Sequence, residues 1–219
     1  MELKYKNWND ITISVYKKLH CLIEFENTDD KVMDEVNKGI TLLSILCDVD
    51  EDAVADLTTD EFKRLIGQCG FLDSMPKAKI KGDYLINGKK YDVQFNVQDM
   101  TMAQYIDYQT FLKDKDKYIS NILACFLIPS GKKYGEGYKI QEVVEDIEQH
   151  LSIVDAYSIC FFFTLSFQSL TRVTLRFLVK KMKKAMKKMN KEEKEKTQLA
   201  IDHLNRAALL VKNGDGFIM

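Results

Sequence analysis

Ile80-Lys81-Gly82-Asp83-Tyr84-Leu85-Ile86-Asn87-Gly88-Lys89-Lys90-Tyr91-Asp92-Val93-Gln94-Phe95-Asn96-Val97 is the stretch in which a hydrophobic period of two replaces the helical period found on either side. Ile80, Gly82, Tyr84 and Ile86 alternate before Asn87-Gly88, and Tyr91, Val93, Phe95 and Val97 alternate after it. Asn-Gly supplies the positive φ angles of a type I′ turn, whose twist suits two antiparallel strands. A hairpin is therefore expected over 77–98. A two-stranded ribbon is marginal alone, so its apolar face must rest on helices, on another strand or on a neighbouring subunit. The expected fold is mainly α (α+β): a multi-helix domain with one inserted antiparallel β-hairpin and a long lysine-rich C-terminal helix.

Upstream of the hairpin the period is helical. Asn9 or Asp10 can cap a helix carrying Ile11, Val15, Leu19, Leu22 and Ile23 on one stripe. A second helix is expected from Asp29 or Asp30 to about Cys47, with Val32, Val36, Ile40, Leu43 and Leu46 sharing a face. Thr58-Thr59-Asp60-Glu61 is a capping signal for a third helix through Phe62, Leu65, Ile66 and Cys69 to Gly70, with Pro76 in the loop beyond.

Downstream, Thr101 can cap a helix carrying Met102, Tyr105, Ile106, Tyr108 and Leu112. An apolar helix over Tyr118 to Ile128 is expected to stop at Pro129, and Pro129 to Gly137 is the most loop-like segment of the chain. Helix resumes from Ile140 to His150. Ser152 can cap a long helix that runs through Leu178 into a lysine-rich end, and a last helix spans about Lys191 to Val211 before a tail from Gly214 to Met219. This divides the chain into an acidic helical part (1–76), the hairpin (77–98), a main helical part with a basic end (99–190) and a C-terminal helix and tail (191–219).

The composition suits a folded chain that stands without metal or disulfide. Of 219 residues, 46% are hydrophobic, and two prolines with ten glycines leave no room for low-complexity or collagen-like architecture. A chain of this length buries roughly 70% of its unfolded surface. Cys21, Cys47, Cys69, Cys125 and Cys160 are odd in number, lack a CxxC pair and sit among apolar neighbours, which predicts buried free thiols in a reducing compartment. The charged start Met1-Glu2-Leu3-Lys4-Tyr5-Lys6 lacks the apolar segment of a secretory signal. The longest uncharged run, Ala156 to Thr171, falls short of the roughly 20 residues that cross a bilayer, so a buried helix is expected in place of a membrane span.

The residues that carry chemistry form no recognised catalytic arrangement. His20, His150 and His203 have no carboxylate or cysteine at a ligand spacing. Asp146 and His150 lie one turn apart and read as a surface acid and histidine pair; Ile147 occupies the position that a di-iron Glu-x-x-His motif gives to a ligand. Glu142, Glu145, Asp146 and Glu148 read as a solvated helix face. Gly-x-Ser-x-Gly, a P-loop and a dinucleotide fingerprint are all missing, and the Gly131 to Gly137 cluster lacks their spacing. The expectation is a non-enzymatic chain that needs no cofactor and no metal.

Charge is distributed unevenly although the net is −1. Glu26 to Glu61 holds twelve acidic residues and two lysines, whereas Arg172 to Lys196 holds eleven basic residues and three glutamates. Lys180, Lys181, Lys183, Lys184, Lys187 and Lys188 flank a stripe of Met182, Ala185, Met186 and Met189. Three readings stand side by side for these lysines: a solvated helix end, a contact with a polyanion such as packaged DNA or with an acidic partner protein, and a membrane surface. Phe161, Phe162 and Phe163 with Phe167 form the second unusual group. Three successive phenylalanines span about 200° of a helix at about 3.6 residues per turn, more than one face can bury. They are expected either to make this the central helix of the domain or to place part of it in a subunit interface.

Trp8-Asn9-Asp10-Ile11-Thr12, Leu57-Thr58 with Glu61-Phe62, the Ile86-Asn87-Gly88-Lys89-Lys90-Tyr91 hairpin, Gln104 with Asp107, Leu123-Ala124 to Pro129, and the Phe161-Phe162-Phe163 helix together carry a resemblance. In these the chain resembles small proteins encoded in the structural modules of tailed bacteriophages, crAss-like phages of gut Bacteroidetes among them. The resemblance implies a non-enzymatic virion role near the portal and tail: a ring or connector subunit, or an internal cargo protein. Its partners would then be other phage structural proteins and further copies of itself, in a virion assembled in the host cytoplasm. A tail assembly chaperone absent from the finished particle is the alternative, and a DNA-binding accessory protein a further one.

Overall fold

The structure is a computed structural model and describes residues 1–22, 31–74, 79–114, 117–187 and 190–213. It is mainly helical with one small antiparallel sheet. Two compact units divide the chain: residues 1–94 with 100–159, and residues 95–99 with 160–219.

The first unit begins with α1 (Ile13–Cys21), whose N-cap is Thr12 accepting from the amide of Val15. Asn9 and Asp10 do not cap it. They close a preceding turn in which the Asp10 carboxylate takes the Lys6 amide and the Asn7 side chain. α2 (Lys31–Cys47) follows; its expected cap at Asp29 or Asp30, like Ile23 of the α1 stripe, lies outside the described residues. The stripe on α2 is covered over its second half only, since Leu43 and Leu46 are buried while Val32 is 73% exposed and Val36 41%. A short α3 (Glu51–Ala55), unmarked in the sequence pattern, turns the chain into α4 (Thr59–Gln68). Thr58 caps α4 as its pattern predicts, and a 3₁₀ turn (Cys69–Asp73) carries the chain past the expected end at Gly70. α2 and α4 approach closely at Gly39, where a Cβ would stand 2.8 Å from the ring edge of Phe62. Pro76 lies outside the described residues.

The hairpin forms from β1 (Asp83–Ile86) and β2 (Lys89–Val93), with Asn87 and Gly88 at φ 48° and 71°. Tyr84, Ile86, Tyr91 and Val93 are its buried face. The strands are shorter than the alternation implied: Ile80 and Gly82 precede β1, Phe95 follows β2, and Val97–Asp99 is a 3₁₀ turn. After α5 (Met102–Phe111) and α6 (Ile119–Ala124) the chain forms β3 (Leu127–Pro129), which pairs antiparallel with β2 to give the order β1-β2-β3. The apolar run to Ile128, expected to be helical throughout, therefore changes to strand after Ala124. A short apolar run satisfies a buried strand as well as a buried helix, and here the unpaired edge of β2 captures it. α7 (Ile140–His150) has the bounds that its pattern predicts. Its C-terminal end is tied to the N-terminal segment, with the Ile13 amide donating to the Leu151 carbonyl and the Ile153 amide to the Ile11 carbonyl.

α8 (Ile153–Met186) starts in this unit, with Ser152 accepting from the Asp155 amide, and continues in the second. In the second unit Phe162 meets Phe95 edge-on at 5.3 Å and Phe163 at 5.1 Å. Phe163, Phe167 and Ile201 are buried there. α9 (Lys191–Asn213) completes the described chain; Asn190 and Glu193 cap it reciprocally, each side chain taking the other's amide. The tail from Gly214 lies outside the described residues.

Candidate interaction surfaces

Two kinds of polar cluster occur, and they differ in where their partners are. The first kind is internal. Asp146, on α7, is a buried acid, not the surface partner of His150 that its spacing implied; His150 is exposed. Its carboxylate accepts from Asn87 Nδ2 at 2.7 Å, Lys89 Nζ at 2.7 Å and the Tyr91 hydroxyl at 2.6 Å. The hairpin turn is thus fastened to α7 by a single carboxylate. Burial pushes that carboxyl upwards, but the bonds from Lys89, Tyr91 and Asn87 outweigh it and hold the group below its ordinary range. Burial, with the Asp146 carboxylate beside it, drives the Tyr91 hydroxyl the other way, so the bond has a fixed donor and a fixed acceptor.

Gln104 is a second internal fastening. Thr101 and Gln104 form a capping box on α5, and Gln104 Nε2 also donates to the Cys125 carbonyl at 2.5 Å and to Gln94 Oε1 at 2.7 Å. One side chain therefore links the helix start, the end of β2 and the bend before β3. The glycine loop is held similarly, with the Tyr134 hydroxyl donating to Asp107 Oδ2 at 2.9 Å beside the buried Cys125 thiol, which burial pushes up to about 12. The cysteines are free, as expected, but only Cys47, Cys69 and Cys125 are buried; Cys160 is half-buried and Cys21 exposed.

The second kind faces outwards. Lys180, Lys181, Lys183 and Lys184 are exposed on α8 and Lys187 just after its end; Lys188 lies outside the described residues. Lys181 places its ammonium 4.9 Å from the ring centre of Phe177. Among the described residues, Lys180, Lys183, Lys184 and Lys187 form no ion pair. At about 100° per residue, Lys180, Lys183 and Lys184 share an arc of about 120° with Leu165, Ser169, Val173, Arg176 and Phe177. All three apolar side chains are uncovered, at 50%, 60% and 54% exposure. The phenylalanine cluster splits: Phe163 and Phe167 are buried, Phe162 half-buried and Phe161 47% exposed. The outer face of α8 thus carries exposed apolar side chains from Leu165 to Phe177, interrupted by Ser169 and Arg176, and lysines from Lys180 onward.

The acidic counterpart lies on α2 and α3. A groove of about 400 Å³ is lined by Asn37, Ile40, Thr41, Glu51, Asp52 and Ala55. Thr41 donates to Glu51 at 2.6 Å. Glu35, Asp50, Glu51, Asp52 and Asp56 have no cation partner among the described residues.

Comparison with protein-family models, with curated proteins and with solved structures finds no match. No group of three or more His, Cys, Asp or Glu side chains among the described residues is placed to hold a metal ion. By length and composition alone α8 is long and apolar enough to cross a bilayer, with an 18-residue window of mean hydropathy 1.4, of which 39% is buried. The uncharged run taken by itself therefore understates the apolar length of this helix.

Proposed function

We propose that the chain is a non-enzymatic virion protein of a tailed bacteriophage, working by repeated protein contact near the portal and tail as a ring, connector or internal cargo protein. The single observation that carries this reading is the outer face of α8, where uncovered apolar side chains run into lysines that form no ion pair among the described residues. Solvated charge needs no apolar neighbour, whereas an interface combines an apolar patch with charged groups that select the partner. Opposite charge in two separate regions of one chain suits head-to-tail contact, the geometry of rings and tubes. The resemblance to phage structural-module proteins supports the same reading. Mass spectrometry of purified particles tests it: recovery of the chain in fixed proportion to the other structural proteins is expected, and absence from particles defeats it.

The exposed Leu165, Val173 and Phe177 favour a second reading, a tail assembly chaperone that holds an aggregation-prone partner and leaves before the particle is complete. On that reading the chain is expected to be recovered bound to a tail component from lysate and to be missing from particles. The lysine arc favours a third, a DNA-binding accessory protein; binding to duplex DNA that weakens steeply with salt is its signature.

A further inference from the structure

The two outward faces match each other in chemistry and in order. On α8, Leu165, Ser169, Val173 and Phe177 are four residues apart and form a single ridge. On α2, Val32, Val36 and Ile40 are also four apart. Ridges of this spacing on both partners interdigitate in the commonest class of helix packing, crossing at about −50°. Beyond the ridge on α8 come Lys180, Lys183 and Lys184; beyond the ridge on α2 come Glu51 and Asp52 of α3, lining the groove with Ile40. Along the chain each row is followed by charged groups, of opposite sign on the two surfaces.

We propose that the outer face of α8 docks on the α2–α3 face of a second copy of this chain, Val173 and Phe177 packing on Val32 and Val36 while Lys180 and Lys184 meet Glu51 and Asp52. The occupant is committed by charge complementarity. Among the described residues the acids have no cation partner and the lysines no acid partner, and both lie beside rows with exposed apolar side chains. The contact joins different surfaces of the two copies, so it is heterologous and propagates into a ring or an open chain instead of closing as a two-fold dimer. This rests on the repeated-contact reading above and adds the identity of the partner.

Sedimentation velocity of the full chain over a range of concentrations tests it. Association that grows with concentration and weakens as salt rises is expected. The charge reversals Lys180→Glu with Lys184→Glu, and separately Glu51→Lys with Asp52→Lys, each weaken association about tenfold or more. Mixing the two variants restores it, since each keeps one native face and the reversed faces complement each other; general damage to the fold is not repaired by mixing. Circular dichroism confirms that the variants are helical, and the pairs Lys180→Gln with Lys184→Gln and Glu51→Gln with Asp52→Gln replace any that are not. A chain that is monomeric at every concentration overturns the proposal, as does association indifferent to both reversals. Flotation with phosphatidylserine vesicles in place of self-association overturns it in favour of an anionic lipid surface. Failure here together with recovery of the chain in particles would leave the virion reading standing with a different partner.

Discussion

The hairpin of the first unit and the outer face of α8 use similar residues to opposite ends. In both, charged side chains lie beside apolar ones. At the hairpin, Asp146 is 7% exposed and has three donors within 2.7 Å, so its charge is satisfied inside the fold. On α8 the lysines project away from the chain and find no carboxylate among the described residues. The difference teaches where stability and recognition reside. A buried carboxylate left without donors is severely penalised, so the fold depends on its partners; an exposed lysine is hydrated either way, so the fold is indifferent to it.

The largest effect that sharpens this contrast is expected from Asp146→Ala, which leaves the buried Tyr91 hydroxyl without its acceptor and releases the hairpin turn from α7. A loss of about 3 kcal/mol in urea unfolding is expected; a loss within the range of an ordinary surface substitution breaks the comparison. The same carboxylate brings a pH dependence. It is held below its ordinary value of 3.8 in the folded chain, so its stabilisation is complete above that value and fades as pH falls through the lower folded one. The gap in stability between the native chain and Asp146→Asn is accordingly widest at neutral pH and narrows in acid, as paired urea titrations can follow.

Gln104→Ala comes next. It orphans the Cys125 carbonyl and removes half of the capping box on α5, at an expected cost of about 2 kcal/mol. Thermal and urea unfolding check it, and full rescue by Gln104→Leu would show that packing alone is at stake. The smallest effect is expected from changing Lys180, Lys183, Lys184 and Lys187 together to Gln, within about 0.5 kcal/mol of the native stability. A larger loss would place these lysines in an internal role and erase the contrast with Asp146.

Local patterns were legible wherever the signal is backbone chemistry. Asn87-Gly88 specifies its turn because few other pairs adopt two positive φ angles, and Thr58, Thr101 and Ser152 cap helices because a hydroxyl reaches the free amides of the first turn. α7 followed from its period alone. Asn9 and Asp10 misled because Thr12, two residues later, offers the same chemistry at the true helix start. The role of Asp146 was illegible: helical spacing puts it beside His150, and nothing in the order of residues announces that Tyr91 and Lys89, more than fifty positions away, converge on it. Gln104 was named only for the phage resemblance, and its second bond, to the Cys125 carbonyl, depends on a bend that appears only when β3 joins the sheet.

Sequence by itself determined the helical class, the hairpin and its turn, the separation of acidic from basic segments and the long helix that ends in lysines, because propensity, capping and periodicity act over a few residues. Tertiary structure alone decided that Cys125 to Pro129 leaves the helix for a third strand, that Asp146 is enclosed, and that the apolar stripe of α2 is covered at Leu43 and Leu46 and open at Val32 and Val36. These outcomes depend on which distant segments compete for the same strand edge or the same apolar face, and that competition is settled only when the whole chain has packed.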